Sequence, residues 1–98
     1  MPGIARLGDI CTGHGCWPPR PPKSGSPSVF VNHKPWVREG DPWNAHCCLC
    51  CKNHPCHTSK LCAGSETIFV NGKAGGRIGD PVCCGSAVAR SSTNVFGG

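Results

Sequence analysis

The clearest apolar signal along this chain is a pair of short runs, Val29-Phe30-Val31 and Ile68-Phe69-Val70. Both are rich in β-branched and aromatic residues and both run straight into turn residues, which predicts short strands that fold back as hairpins. Asn71-Gly72 is a strong two-residue turn signal, and Asn32-His33 is a weaker one. Each return strand ends on Gly-Asp, where Gly tolerates a positive φ and Asp closes a turn through its side chain. Pro18 to Pro22 reads as an extended, stiff connector. With 14 Gly and 10 Pro in 98 residues, long helices are disfavoured, and the expected class is all-β with few or no helices.

The hairpins are copies of one unit. Arg-x-Gly-Asp occurs three times, as Arg6-Leu7-Gly8-Asp9, Arg38-Glu39-Gly40-Asp41 and Arg77-Ile78-Gly79-Asp80. A Gly-Ser block with a Phe-Val-Asn strand precedes two of them, at Gly25 to Asn32 and Gly64 to Asn71, and the Phe-to-Arg step is the same in both. A third copy stops short at Ser91-Ser92-Thr93-Asn94-Val95-Phe96, while the first tetrad has no such block before it. The last half-repeat therefore lends its strand to the first. The simplest arrangement is three similar units around an axis, with the termini side by side. Each tetrad Arg pairs with an Asp, caps carbonyls, or lies solvated on a strand edge.

Length and composition narrow the class further. One domain spanning residues 1–98 is expected, with a Cys-rich insertion at about 47–56. Hydrophobic residues are 38% of the chain, a count that includes ten cysteines, so the core is small and calls for a staple such as disulfides, a metal or a partner. No run approaches a membrane span, and Met1-Pro2-Gly3-Ile4-Ala5-Arg6 lacks the apolar region of a secretory signal. The net charge of +5 is scattered, which argues against a polybasic tail. Ten cysteines imply a disulfide scaffold, a metal site or both, and a chain made in the cytosol with reduced thiols favours the metal. A second site built from Cys47, Cys48, Cys50, Cys51, His54 and Cys56 is the weaker expectation, because Cys-Cys-Leu-Cys-Cys matches no familiar zinc or iron–sulfur spacing.

The repeats also align candidate ligands. His14 and His46 each stand five residues after a repeat Asp, and Cys83 and Cys84 occupy the corresponding stretch after Asp80. Equivalent positions on three units around an axis converge, giving two imidazoles and a thiolate at one point. His57, seven residues before Gly64, supplies a fourth ligand. Such an N/S set suits tetrahedral Zn²⁺ with no open position, the structural pattern. His33 falls in a turn and is expected to be exposed. No Ser-His-Asp set or carboxylate pair stands out: Asp and Glu total 5, three of them the repeat Asp residues, so no enzyme is expected.

With these features assembled, the chain resembles the PAAR-repeat family, small conical proteins at the tips of spikes in contractile injection machines. The resemblance rests on the Met-Pro-Gly-Ile-Ala-Arg-Leu-Gly-Asp opening, the two Gly-Ser…Phe-Val-Asn…Arg-x-Gly-Asp units, Asp80-Pro81-Val82-Cys83-Cys84-Gly85-Ser86 and the Asn94-Val95-Phe96-Gly97-Gly98 ending. The eponymous tetrad is degenerate, since only its Arg holds in all three copies. The resemblance implies a cone of β-hairpins with one zinc ion near the apex, held by His14, His46, His57 and Cys84, with Cys83 as the alternative ligand. It also implies that the base caps the C-terminal end of a trimeric β-helical spike, and that the tip meets a target outer membrane transiently. The machine is a phage tail baseplate or a type VI secretion apparatus; a tip with no effector extension leans to the tail. Competing classes are a Cys/His zinc module contacting nucleic acid, opposed by the missing ligand order and basic helix; a secreted disulfide-rich mini-protein, opposed by the missing signal peptide; and a redox protein using vicinal cysteines.

Overall fold

The computed structural model describes residues 1–13, 17–48, 53 and 56–98. The two expected hairpins are present. Strand β1 (Phe30–Val31) pairs antiparallel with β2 (Lys34–Pro35), and the later pair formed by Phe69–Val70 and Lys73–Ala74 repeats that register. Both turns are left-handed at both central residues, with φ of 53° and 67° at Asn32 and His33 and of 54° and 78° at Asn71 and Gly72. This is the backbone of a two-residue type I′ hairpin turn. Gly72 adopts it freely, whereas His33, exposed as expected, holds it against a β-carbon clash of about 1–2 kcal/mol.

The longest pairing lies between them in sequence: β3 (Pro42–Cys47) runs antiparallel to β4 (Cys56–Lys60), with a register shift between Trp43 and His46. The sequence reads this stretch as an insertion because its cysteines mask the strand pattern. The remaining strands are then β5 (Phe69–Val70) and β6 (Lys73–Ala74). The Pro18–Pro22 connector runs along β3, with Asn44 N–H donating to the Pro21 carbonyl at 3.1 Å and Lys23 N–H to that of Pro42 at 2.8 Å. The described residues contain no helix.

Each Arg-x-Gly-Asp tetrad is a closed turn. The Asp N–H donates to the Arg carbonyl at 2.9, 3.0 and 3.1 Å in the three copies. Gly8, Gly40 and Gly79 hold φ of 99°, 90° and 88°, as the third position of a type II turn requires. A β-carbon at any of the three would touch nothing within 4 Å, so glycine is needed there for its backbone and not for space. Across the turn, one carboxylate oxygen accepts from the Arg backbone N–H at 2.8 Å in all three copies and also from Nε, while the other accepts from Nη2 at 2.9–3.0 Å. Of the three roles considered for the Arg, pairing with Asp is the one found. The hydrogen bond to Asp raises each Arg pKa further above its already high ordinary value. The raised pKa keeps each guanidinium charged up to strong alkali, where its contribution to stability is lost.

Three backbones meet just before these tetrads. Ala5 N–H donates to the Gly76 carbonyl at 3.0 Å, Gly76 N–H to that of Val37 at 2.7 Å, and Val37 N–H to that of Ala5 at 3.1 Å, closing a ring. In the third copy, where no strand pair forms, the C-terminus pairs with the N-terminus. Gly3 bridges Phe96, and Ile4 N–H donates to the Val95 carbonyl at 3.1 Å, as Trp36 does to Val29 and Gly75 to Ile68 at 3.0 Å. Buried serines tie each unit to the next. Ser26 accepts from Val29 N–H and donates to Asn71 Oδ1, and Ser92 accepts from Val95 N–H and donates to Asn32 Oδ1. Ser65 does the same for Ile68 N–H, but donates to the Gly98 carbonyl, because Gly98 stands where the other copies have Asn. The core on which this frame rests comprises Ala5, Cys11, Val37, Trp43, Leu61, Val82 and Val88, with Cys84 packed against it.

Three outcomes follow. Arg38→Ala leaves Asp41, only 3% exposed, without its charged partner and should cost about 3–5 kcal/mol in urea unfolding. Arg77→Ala should cost less, on the order of 2 kcal/mol, since side-chain exposures of 23% and 10% let water reach that pair. A smaller loss at Arg38 than at Arg77 would contradict the ranking. His33→Gly should stabilise the protein by about 1 kcal/mol through relief of the left-handed turn; an unchanged or lower urea midpoint would argue against it.

Candidate metal centre

The register of β3 against β4 places His46 directly opposite His57, with Cys47 opposite Cys56 one step further along. The two imidazoles meet with Nε2 atoms 2.6 Å apart and rings in an edge-on arrangement at 4.5 Å. Two facing lone pairs at that distance require a positive centre between them, either a proton or a cation.

The third ligand arrives from the other end of β4. Leu61 bridges Val82, Cys83 N–H donates to the Lys60 carbonyl at 2.9 Å, and a tight turn through Gly85 (φ 106°) reverses the chain. Cys84 sits in that turn, its Sγ 3.9 Å from His46 Nε2. The ligand atoms of His46, His57 and Cys84 all lie within 4.8 Å of one another.

The surroundings prepare these groups for coordination. His46, buried at 3% exposure, hydrogen-bonds the Pro18 carbonyl through Nδ1 at 2.8 Å. A carbonyl only accepts, so Nδ1 carries the proton and the Nε2 lone pair faces the cluster. Trp17 stacks on His57 at 5.0 Å with a 22° tilt and screens one side. The Cys84 thiol donates to Ser86 Oγ at 3.7 Å. For a tetrahedral ion with bonds of about 2.0–2.1 Å to nitrogen and 2.3 Å to sulfur, ligand atoms stand about 3.3–3.7 Å apart. The observed 2.6 and 3.9 Å bracket that range, so the set fits a metal after a small adjustment.

Among the residues singled out from sequence, His46, His57 and Cys84 come together, whereas the Cys83 sulfur is committed to a disulfide with Cys62. His14 lies outside the described residues, as do Cys50, Cys51 and His54 of the second cluster considered. Cys47 and Cys56 of that cluster form a disulfide. Disulfides and a metal-ready site thus coexist, the combined case among the three that the sequence left open. The Pro18 carbonyl was invisible to sequence, since any residue offers one. The mirrored order His46-Cys47…Cys56-His57 was a usable signal for the hairpin and its register.

A family profile described as the PAAR motif matches residues 24–90. The chain belongs to the PAAR motif family. It is also 34% identical over 74 residues to two toxins of Pseudomonas aeruginosa: the NAD(P)(+) glycohydrolase toxin Tse6 of strain PAO1 and the (p)ppApp synthetase toxin Tas1 of strain UCBPP-PA14. Each match covers 74% of this chain and 17% of the relative, so the chain spans about a sixth of the length of these relatives.

For this PAAR chain, His46→Ala, His57→Ala and Cys84→Ser should each lower bound metal to well under half of the wild-type stoichiometry by elemental analysis. Each should also lower the melting temperature of the metal-loaded protein, while His33→Ala leaves metal content unchanged. Acid should release the metal, because protons compete for imidazole and thiolate. Full metal retention by a His46→Ala/Cys84→Ser double variant would eliminate this site.

Proposed function

We propose that this chain is the structural tip of a contractile injection machine, capping the C-terminal end of a trimeric β-helical spike and sharpening it to breach a target outer membrane. The observation that carries this proposal is the threefold recurrence within one chain: the backbone ring at Ala5, Val37 and Gly76, the three Arg–Asp turns, and the three serine links closed by Gly98. A β-helical trimer ends in three equivalent strand edges, which invite unwanted pairing unless covered. A single chain with three internal copies matches such an end.

Three exposed aromatics mark the docking face. Phe30, Phe69 and Phe96 occupy the same repeat position and are 56%, 62% and 51% exposed, while the valines that follow the first two are buried. Large apolar rings are costly to leave in water, and their repetition in all three copies supports contact with a threefold partner.

The metal in this proposal is one zinc ion held by His46, His57 and Cys84, with His14 as fourth ligand. A full N/S set leaves no open position and supplies folding free energy rather than catalysis. The toxin relatives favour delivery by a type VI secretion apparatus over a phage tail, which reverses the lean taken from sequence. In this scheme the chain leaves through the apparatus, and it turns over no substrate.

The test is complex formation with a trimeric β-helical spike protein, read by native mass spectrometry. One copy of this chain per spike trimer is expected. Phe30→Asp/Phe69→Asp/Phe96→Asp should abolish that complex with little change in the melting temperature of the free chain. Undiminished binding by a folded triple variant would refute the docking face.

A further inference from the structure

Every metal-ready residue in the described structure is the chain neighbour of a half-cystine. His46 precedes Cys47, His57 follows Cys56, and Cys84 follows Cys83. The disulfide Cys47–Cys56 joins β3 to β4 one register step beyond the His46–His57 pair. The disulfide Cys62–Cys83 joins the chain just past β4 to the turn that carries Cys84. The two cross-links therefore connect all three ligand-bearing segments into one covalent frame. From this juxtaposition, and resting on the metal reading above, we infer that the disulfides form a redox-controlled lock on the metal: reduced chain exchanges it readily, and oxidised chain retains it.

The physical reason is chain freedom. A metal leaves by stepwise loss of ligands, and each freed ligand must swing away before the next bond breaks. A strand tethered one residue from its ligand cannot move far, so the freed ligand rebinds before the ion escapes; this is an effective-concentration effect set by a very short tether. Reduction of either cross-link restores the freedom of one segment.

The frame also has an accessible handle. Cys62 and Cys83 are both exposed and line an open groove of about 270 Å³ with Glu39, Gly40, Lys60 and Leu61. A small thiol of the glutathione class can reach this disulfide, with the Lys60 ammonium beside it to attract an anionic reagent. The exchange is balanced. One thiolate attacks a cystine sulfur to give a mixed disulfide and a free protein thiol, and a second thiol then releases the other. In sum, one protein disulfide and two small thiols become two protein thiols and one small disulfide, and the reverse reaction closes the lock. A reducing compartment thus permits loading, and an oxidising one fixes the loaded tip.

The experiment uses the full zinc-loaded chain and an excess of a chromophoric chelator. Release rates are compared after incubation with oxidised glutathione and after reduction by a phosphine, with each state verified by intact mass at two hydrogens per disulfide. Release should be about tenfold or more slower from the oxidised chain. Cys62→Ser/Cys83→Ser should bring the oxidised rate most of the way to the reduced one. Under graded glutathione, Cys62 and Cys83 should become alkylatable before Cys47. Equal release rates from two mass-verified states would overturn the lock, as would Cys62 and Cys83 thiols that stay alkylatable in oxidised glutathione. Failure of the chain to hold zinc in either state would instead remove the metal reading and the lock with it, leaving the docking face to its own test.

Discussion

The fold depends on three backbone hydrogen bonds that close on themselves at Ala5, Val37 and Gly76. Each residue donates to one neighbour and accepts from the other, so the buried backbone at this crossing is satisfied without water. The geometry limits side-chain size there. A β-carbon on Gly76 would stand 2.7 Å from Leu61 Cδ2 and 2.8 Å from the Val37 carbonyl oxygen, inside the ring itself. Ala, Val and Gly are the residues present, and the Leu61 side chain fills the space that Gly76 leaves open. Once the three segments cross in this way, the residue that follows each is an Arg, and the three tetrads leave the ring in the same manner.

The polar shell outside the ring supplies specificity more than stability. A buried Arg–Asp pair recovers its desolvation cost only when its geometry is good and its remaining donors are satisfied. Here the bidentate turn uses Nε and Nη2 on Asp. Nη1 of Arg6 and Arg38 reaches across to Asn32 and Asn71, which also accept from Ser92 and Ser26. Two of the three charges are thus coupled to a turn in the neighbouring unit, and shifting one unit against another would strand several buried groups at once. Gly98 shows how strict the requirement is, since a backbone carbonyl takes the place of an Asn side chain to accept from Ser65.

Most of this was legible in the sequence because the repeat is exact where the backbone demands it. Glycines needed for positive φ, aspartates that close the turns and serines that cap the next strand leave fixed letters at fixed spacing. The two short hairpins, the Arg–Asp alternative and the loan of the last strand to the first could all be read from that pattern. The β3–β4 hairpin lies outside that pattern: its one signal is the mirrored order His46-Cys47…Cys56-His57, and cysteine, neither a strong strand former nor a turn residue, points to metal spacing instead. The choice between Cys83 and Cys84 also lay beyond the sequence, as adjacent side chains in a turn diverge by an amount that only the turn geometry sets. Among the residues around the cluster, Trp17 and the Pro18 carbonyl carried no signal, because stacking and backbone acceptance have no spacing rule.

The hydrophobic core and the metal-ready site divide the molecule between them. Trp43, Leu61, Val82 and Val88 bury well, and the ring lies on their side. Past Trp43 on β3 and Ser59 on β4, the buried residues described are His46 and Cys48, with no aliphatic side chain among them. Burying an imidazole costs free energy unless its polar atoms are matched. Pro18 matches Nδ1, and among the described residues Nε2 faces His57 and Cys84. A cation bound by those atoms would offset the cost of burying this imidazole, in a stretch where no described aliphatic side chain is buried. The same stretch carries Cys47–Cys56, the cross-link that holds the strands together when no ion is present. The disulfide and a metal-ready cluster, neither of which depends on apolar area, thus lie together where the described residues bury no aliphatic side chain.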